Sequence, residues 1–354
     1  MILNVNFLPA RYGDSLWIEY GDPSDPAVVL IDGGTGGTRR DIEAMIEQLP
    51  GKKHIDLLVV THIDRDHIEG ILALLEESPE LASIGEIWFN GWQHLPGDES
   101  VEAFGSRQGE KLSAAILKNK IPWNEHFSGK AVVSDGVAKY PVIELKDGFR
   151  LTILSPTIKH LADLKPAWVE ELKKANLLPG FGLEQPKPLP GGTEKFGAAM
   201  PDVEELCSQP FEEDDAVANG SSIAFLAEFQ QKRILFCGDA FPSVLLNSLH
   251  DLYEENVPLD LVKLSHHASA GNTSPELLMK LNCKRFAIST NGSNYYHPSP
   301  VTVARVIKLK GAGTELFFNY RTVYNQIWDN NILKMKYGYK TIYAATEGIT
   351  VELI

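Results

Sequence analysis

The sequence predicts an α/β (α+β) fold in which two β-sheets pack together and helices cover their outer faces. Most short apolar runs typical of strands fall into two groups, one before residue 96 and one after residue 215, and segments with helical apolar spacing alternate with them. The 354 residues are 44% hydrophobic and 23% charged, which is typical of a folded globular chain. We therefore expect a single large domain over residues 1–354.

The first half opens with apolar runs separated by Gly-, Asp- and Pro-containing turns. The predicted elements are strands at 4–8, 15–20 and 27–31, a helix at 38–49, a strand at 55–60 and a helix at 68–75. The local order around residue 64 is therefore strand, polar loop, helix.

Residues 96–215 differ from both flanks, and we expect them to form a large insertion. Helical spacing covers 108–119 and 159–175, and strands are predicted at 131–133 and 142–154. The Pro/Gly-rich stretch 177–195 is typical either of a functional lid or of a disordered segment.

The second half is again regular. A hairpin-like pair of apolar runs surrounds residues 230–232. Strands are predicted at 223–229, 233–237, 260–264, 285–289 and 316–318, and helices at 275–281 and 301–310.

The formal net charge of −14 argues against a cationic protein that coats nucleic acid. It does not exclude a local nuclease site, because bound metals supply positive charge where a phosphate sits. No apolar run approaches the roughly 18 residues of a membrane span. Residues 1–7 predict a strand and not a signal peptide, so we expect a cytoplasmic protein without a membrane partner.

The strongest chemical signal is a cluster of four potential metal ligands, His62, Asp64, Asp66 and His67, directly after the strand at 55–60. Imidazole and carboxylate together suit zinc, manganese or iron. The structural alternative is a polar loop that caps the next helix, with Asp66 as the N-cap residue. Capping requires one such side chain and not four.

This cluster, preceded by Thr61 and followed by Gly70, resembles the metal motif of the metallo-β-lactamase superfamily. The usual motif has His in place of Asp64, and the Asp form resembles the hydrolase domain of ComEC-type competence proteins. Further segments resemble that subgroup in the same order: 13–15, 31–34, 219–222, 236–239, 265–269 and 294–298. The resemblance implies a four-layer αββα sandwich that holds two divalent metal ions.

By this resemblance, His62 and Asp64 would hold the first metal, and Asp66 and His67 the second. Asp239 would bridge both ions. One histidine of His266 and His267 would complete the second site, and the small residue that follows His267 favours His267.

The resemblance fails at the third motif, because the chain has no histidine before its Gly-Asp segment. Asn219 occupies that turn, and it would either bind the first metal through its amide oxygen or leave that metal weakly held. An oxygen-richer first site favours manganese relative to an all-histidine zinc site, so we expect either zinc or manganese.

Asp66, Asp239 and His297 are the expected catalytic residues. His297 would donate a proton to the leaving oxygen or hydrogen-bond a phosphate, although a histidine before proline can also simply fix a loop. Asp14 and Asp32 are expected to orient ligand histidines.

The predicted function is a dinuclear metal-dependent hydrolase. Two ions a few ångströms apart would lower the pKa of a bridging water, so that hydroxide is available near neutral pH. A phosphodiesterase or nuclease, acting on nucleic acid or a nucleotide, is favoured by the competence-protein resemblance. One alternative is an ester, lactone or amide hydrolase with the same metal pair. Another is a catalytically silent metal-binding scaffold whose segment 96–215 binds a partner.

Overall fold

The computed structural model of the chain describes residues 1–96, 107–174, 200–344 and 346–354. Two large sheets pack face to face, and helices cover the outer face of each, which confirms the four-layer αββα prediction. Residues 177–195 lie outside the described ranges, so their interpretation as a lid or a disordered segment stays a prediction. Within the described ranges, none of the helices is long and apolar enough to cross a membrane.

The described residues form eighteen strands and ten α-helices. The strands are β1 (Ile2–Phe7), β2 (Leu16–Asp22), β3 (Asp25–Ile31), β4 (His54–Ile55), β5 (Leu57–Val59), β6 (Ser83–Ile84), β7 (Ile87–Trp88), β8 (Val142–Glu144), β9 (Arg150–Ser155), β10 (Ala224–Phe229), β11 (Lys232–Phe236), β12 (Val257–Pro258), β13 (Leu261–Lys263), β14 (Leu281–Asn282), β15 (Arg285–Ile288), β16 (Glu315–Phe318), β17 (Lys340–Tyr343) and β18 (Ile349–Glu352). The helices are α1 (Arg39–Gln48), α2 (Arg65–Glu77), α3 (Arg107–Asn119), α4 (Ile158–Lys174), α5 (Val203–Ser208), α6 (Val217–Gly220), α7 (Pro242–Leu252), α8 (Pro275–Lys280), α9 (Pro300–Lys310) and α10 (Asn331–Tyr337).

The first large sheet has the strand order β18-β1-β2-β3-β5-β7, and the second has the order β17-β16-β15-β13-β11-β10-β9-β8. Tight turns join the antiparallel strands β2 to β3 and β10 to β11. The pairs β3–β5, β11–β13 and β13–β15 are parallel, so their carboxyl ends lie at the same edge of each sheet.

The core follows the alternation of side chains along each strand. In β3, Val29 and Ile31 face the second sheet, whereas Val28 and Leu30 face the outer helices. A strand buried on both faces is a nearly continuous apolar run, as the sequence shows here. The space between the sheets is filled by aromatic and aliphatic side chains from both, including Phe225 and Phe236 of the second sheet.

Three details bear on the sequence-based expectations. The segment 131–133 is not a strand, because the Asn90 side chain hydrogen-bonds both the N–H and the C=O of Val132 and replaces a strand partner. The span 96–215, expected as an insertion, contributes β8 and β9 to the larger sheet. Helix α2 has Asp64 at its N-cap without a side-chain cap bond, and Asp66 lies inside the helix, so the capping alternative for Asp66 is wrong.

Helix α2 is held against the end of β3 by a contact that only glycine permits. The backbone N–H of Gly33 donates to the carbonyl of His67 at 2.7 Å, and that of Gly70 donates to the carbonyl of Gly34 at 3.2 Å. A Cβ atom on Gly70 would lie 1.9 Å from the Gly33 oxygen. The first turn of α2 therefore keeps its position only while these backbones touch.

We expect Gly70→Ala to lower the free energy of unfolding by roughly 1–3 kcal/mol, because the added methyl group overpacks this contact. Urea denaturation followed by circular dichroism measures the change. Gly36→Ala is the matched control, since no atom lies within 4 Å of a Cβ atom placed there. Equal stability of the two variants would contradict the close approach.

Candidate metal centre

The ligand-type side chains collect where the strands of both sheets end. Asp32 follows β3, His62 follows β5, Asp239 follows β11, and His266 and His267 follow β13. The backbone N–H of Ile223 donates to the carbonyl of Thr61 at 2.9 Å and joins the two sheets beside the site. A crevice at the carboxyl ends of strands is the usual ligand site of such open sheets.

The segment 62–67 brings its four ligand-type residues to this crevice from a loop and a helix start. His62 and His67 are buried, and the Asp66 side chain is 13% exposed. The Asp64 side chain is 45% exposed, and its Oδ2 lies 3.6 Å from His62 Nε2. Because α2 begins at Arg65, Asp66 and His67 point inward from its first turn.

Asp32 fixes the orientation of His67, as expected. One Asp32 oxygen accepts from the Thr61 N–H at 2.7 Å, and the other accepts from the Thr61 hydroxyl and from His67 Nδ1, both at 2.8 Å. Because Nδ1 of His67 is bonded to Asp32, Nε2 is the ring nitrogen that faces the crevice and could bind a metal after losing its proton.

Asp239 lies at the centre of the site. Its Oδ2 is 3.4 Å from His67 Nε2, 3.8 Å from His62 Nε2 and 3.9 Å from His266 Nε2. Its backbone N–H donates to the Ser222 hydroxyl at 3.0 Å, which anchors the turn after β11. One carboxylate oxygen is thus shared by three imidazoles.

Adjacent histidines reach different parts of the crevice because the backbone after β13 turns sharply. His266, His267 and Ala268 have φ values of 45°, 51° and 64°, in the left-handed region. The two imidazole rings lie 5.8 Å apart at an angle of 70°. His267 Nδ1 donates to the carbonyl of Ser289 at 2.8 Å, and its Nε2 is 3.5 Å from Asp66 Oδ2.

His297 lies beside His266 and His267. Its ring centroid is 5.4 Å from that of His266 and 6.4 Å from that of His267. Burial, together with the neighbouring His266 and His267, lowers the pKa of His297 to about 3. The imidazole is therefore neutral near pH 7.

The residues present fit a divalent metal. His62 Nε2, His67 Nε2, His267 Nε2 and Asp239 Oδ1 are buried and lack a hydrogen-bond partner among the described residues. Buried polar atoms are almost always paired, so a set of orphaned donor atoms that face one another indicates a bound cation. In one such group, atoms of Asp14, His67, Asp239 and His267 all lie within 4.8 Å of one another.

The electrostatics of the cluster also favour added positive charge. Burial opposes the charged form of His67, but Asp239 and Asp32 outweigh it and hold the pKa of His67 well above its usual range. Burial also disfavours charge on His267, yet Asp14 and Asp66 raise the pKa of His267 to about 10. A divalent ion would satisfy the same carboxylates and displace these protons.

Sequence reasoning missed three residues that support the site. Lys263 is buried in β13 and forms an ion pair with Asp14, whose other oxygen is 3.4 Å from His267 Nδ1. A lysine within an apolar strand is a visible signal, since lysine is rarely buried without a partner. Asp214 and Asn272 contact His266, and no sequence pattern distinguished them from other polar loop residues.

Residues 9–154 match the family model of the metallo-beta-lactamase superfamily. No curated protein matches the chain. Among solved structures, the metallo-beta-lactamase fold protein YhfI from Bacillus subtilis is 13% identical, with 99% of each chain covered and a TM-score of 0.41. A diphosphatase of the PhnP family is 14% identical, with 100% of this chain and 98% of that one covered and a TM-score of 0.41.

The short form of human tRNase Z is 11% identical, with 98% of each chain covered and a TM-score of 0.41. The matched family segment contains Asp32 and the cluster 62–67, and the observed layers place Asp239 and His267 opposite them. The chain has the fold of the metallo-β-lactamase superfamily, with a metal-type site where its two sheets meet.

Proposed function

We propose that the chain is a dinuclear metal-dependent hydrolase and that its substrate is a phosphodiester. The observation that carries the proposal is the position of Asp239, whose Oδ2 lies 3.8 Å from His62 Nε2 and 3.4 Å from His67 Nε2. Among the described residues, neither Nε2 atom has a hydrogen-bond partner, so the carboxylate between these two imidazoles is in a position to bridge two ions.

The proposed ligands fall into two groups. His62 and Asp64 hold the first ion, and Asp66, His67 and His267 hold the second. Two donors about 2.1 Å from one tetrahedral ion are roughly 3.4 Å apart. The 3.6 Å separation of His62 Nε2 from Asp64 Oδ2, and the 3.5 Å separation of His267 Nε2 from Asp66 Oδ2, support this division. Zinc and manganese both accept such mixed nitrogen and oxygen ligands.

When bound, two ions would supply an activated water near neutral pH and stabilise negative charge on the reacting group. The chain's own residues orient this chemistry. Asp32 holds the proton of His67 on Nδ1, and the Ser289 carbonyl does the same for His267. His297 is neutral near pH 7, so its proposed role is to donate a hydrogen bond to a substrate oxygen through its ring N–H.

The preference for a phosphodiester rests on the Asp64 form of the motif, which resembles the hydrolase domain of ComEC-type competence proteins. The net charge of −14 favours a nucleotide or a short nucleic acid over long DNA, because long DNA is bound mainly through cationic side chains.

The first experiment is elemental analysis of the purified protein, together with hydrolysis of bis(p-nitrophenyl) phosphate after addition of manganese or zinc. We expect about two metals per chain and metal-dependent turnover. If the protein binds metal and hydrolyses carboxylic esters or lactones, but neither this compound nor any nucleotide ester, the substrate class is an ester or lactone and not a phosphodiester. Metal with no turnover at all would favour a scaffold, and no metal after loading would refute the proposal.

Asp239→Ala should reduce the rate of phosphodiester hydrolysis by ~10²-fold or more while the chain stays folded, because the bridging carboxylate is lost. Initial rates at saturating metal and far-UV circular dichroism measure the two quantities. The control is Asp251→Ala, which removes an exposed carboxylate that pairs with Lys139 on the surface. Wild-type turnover by Asp239→Ala would refute the bridging role.

Asp32→Asn should weaken metal binding by about 10–100-fold, because an amide N–H facing His67 Nδ1 moves the imidazole proton to Nε2. Competition with a chromophoric chelator measures the dissociation constant. Asp22→Asn, at an exposed turn where the carboxylate contacts Ser24, is the matched control. An unchanged metal affinity in Asp32→Asn would contradict this role of Asp32.

A further inference from the structure

We propose that His266 is a ligand of the first metal and takes the place of the absent third-motif histidine, so that the adjacent residues His266 and His267 bind different ions. This inference rests on the proposed dinuclear function and completes the ligand set of its first site. The first metal would then have the ligands His62, Asp64, Asp239 and His266.

The distances around Asp239 support this assignment. His266 Nε2 is 3.9 Å from Asp239 Oδ2, almost the same as the 3.8 Å between that oxygen and His62 Nε2. Both values are close to the roughly 3.4 Å expected for two donors of one tetrahedral ion. The distance from His266 Nε2 to the Asp239 oxygen is therefore nearly the same as the distance from His62 Nε2, an expected ligand of the first metal.

His267 is assigned to the second metal. Its Nδ1 donates to the Ser289 carbonyl, so only Nε2 is available, and Nε2 lies 3.5 Å from Asp66 Oδ2. The rings of His266 and His267 are 5.8 Å apart and inclined by 70°. Two imidazoles in this arrangement face different points, and the left-handed backbone of both residues produces it.

A buried amide network prepares His266 Nε2 for metal binding. Asn272 is fully buried, and its Nδ2 donates to Asp214 Oδ2 at 3.0 Å and to the Asp239 carbonyl at 3.2 Å. These bonds direct Asn272 Oδ1 to His266 Nδ1, 3.0 Å away, where it accepts the ring proton. With the proton on Nδ1, the Nε2 lone pair faces Asp239. The other ring nitrogen of a metal-bound histidine is usually held by a hydrogen-bond partner in this way.

Asn219, which occupies the third-motif turn, contacts the Nδ1 side of the His266 ring. Its Nδ2 donates to Asp214 Oδ2 at 2.6 Å and lies 3.2 Å from His266 Nδ1. Its Oδ1 is buried without a partner among the described residues, which makes Asn219 the competing ligand. Because the amide nitrogen faces the imidazole, we assign the ligand role to His266 and a positioning role to Asn219.

The test compares bound metal in four variants: His266→Ala, His267→Ala, and the doubles His62→Ala/His266→Ala and His266→Ala/His267→Ala. Each protein is loaded with manganese or zinc and desalted. Its metal content is then measured by elemental analysis, and circular dichroism verifies folding. We expect about two ions in the wild type and about one in each single variant. His62→Ala/His266→Ala should also retain about one ion, because both residues serve one site, whereas His266→Ala/His267→Ala should retain none.

Asn219→Ala is the matched variant for the competing ligand, and it should retain about two ions. Two tightly held ions in folded His266→Ala, or loss of one ion in Asn219→Ala but not in His266→Ala, would overturn the assignment. If His266→Ala unfolds, His266→Leu with the same readout replaces it, and two ions there would also overturn the assignment. Fewer than two ions in the wild type would instead refute the dinuclear function.

Discussion

The carboxylate of Asp239 is 2% exposed, and three imidazole nitrogens lie within 3.9 Å of one of its oxygens. Removing such a charge from water costs several kcal/mol unless opposite charges or hydrogen bonds compensate for it. The compensation comes from elements of both sheets, so the ends of β5, α2 and β13 must stay in fixed positions relative to β11. The same carboxylate therefore faces side chains that both sheets bring to the site.

The fold orients three imidazoles of the site through hydrogen bonds to their Nδ1 atoms. His67 Nδ1 bonds to Asp32, His267 Nδ1 to the Ser289 carbonyl, and His266 Nδ1 to Asn272. Asp32 directly follows β3, Ser289 directly follows β15, and Asn272 lies in the loop before α8. As a result, the Nε2 atoms face the carboxylates of Asp239 and Asp66.

A second buried pair lies beside the histidines. Lys263 and Asp14 are both 1% exposed, and Asp14 also faces His267. The pair joins the hairpin between β1 and β2 to β13, and thereby ties the first sheet to the loop that bears His266 and His267. An ion pair of this kind stabilises one arrangement of the loops, because breaking it would leave a charge buried alone.

The sequence was sufficient wherever the signal was local. Nearly continuous apolar runs predicted the strands that are buried on both faces, and four ligand-type residues within six positions predicted the site around α2. Local pattern failed at 131–133, where the distant Asn90 supplies the backbone bonds that a strand partner would make. It also did not single out β17 or β18, which are short strands that depend on partners elsewhere in the chain.

The sequence by itself determined which residue types are available at the site, including two adjacent histidines and an asparagine in the place of a third-motif histidine. It left open which of His266 and His267 faces the metal centre. Only the tertiary structure decided that both face the candidate centre, because the left-handed turn after β13 separates their rings and because Asn272 and Ser289 hold the two Nδ1 atoms. Those partners lie far away in sequence or in irregular loops, so no local pattern encodes their direction.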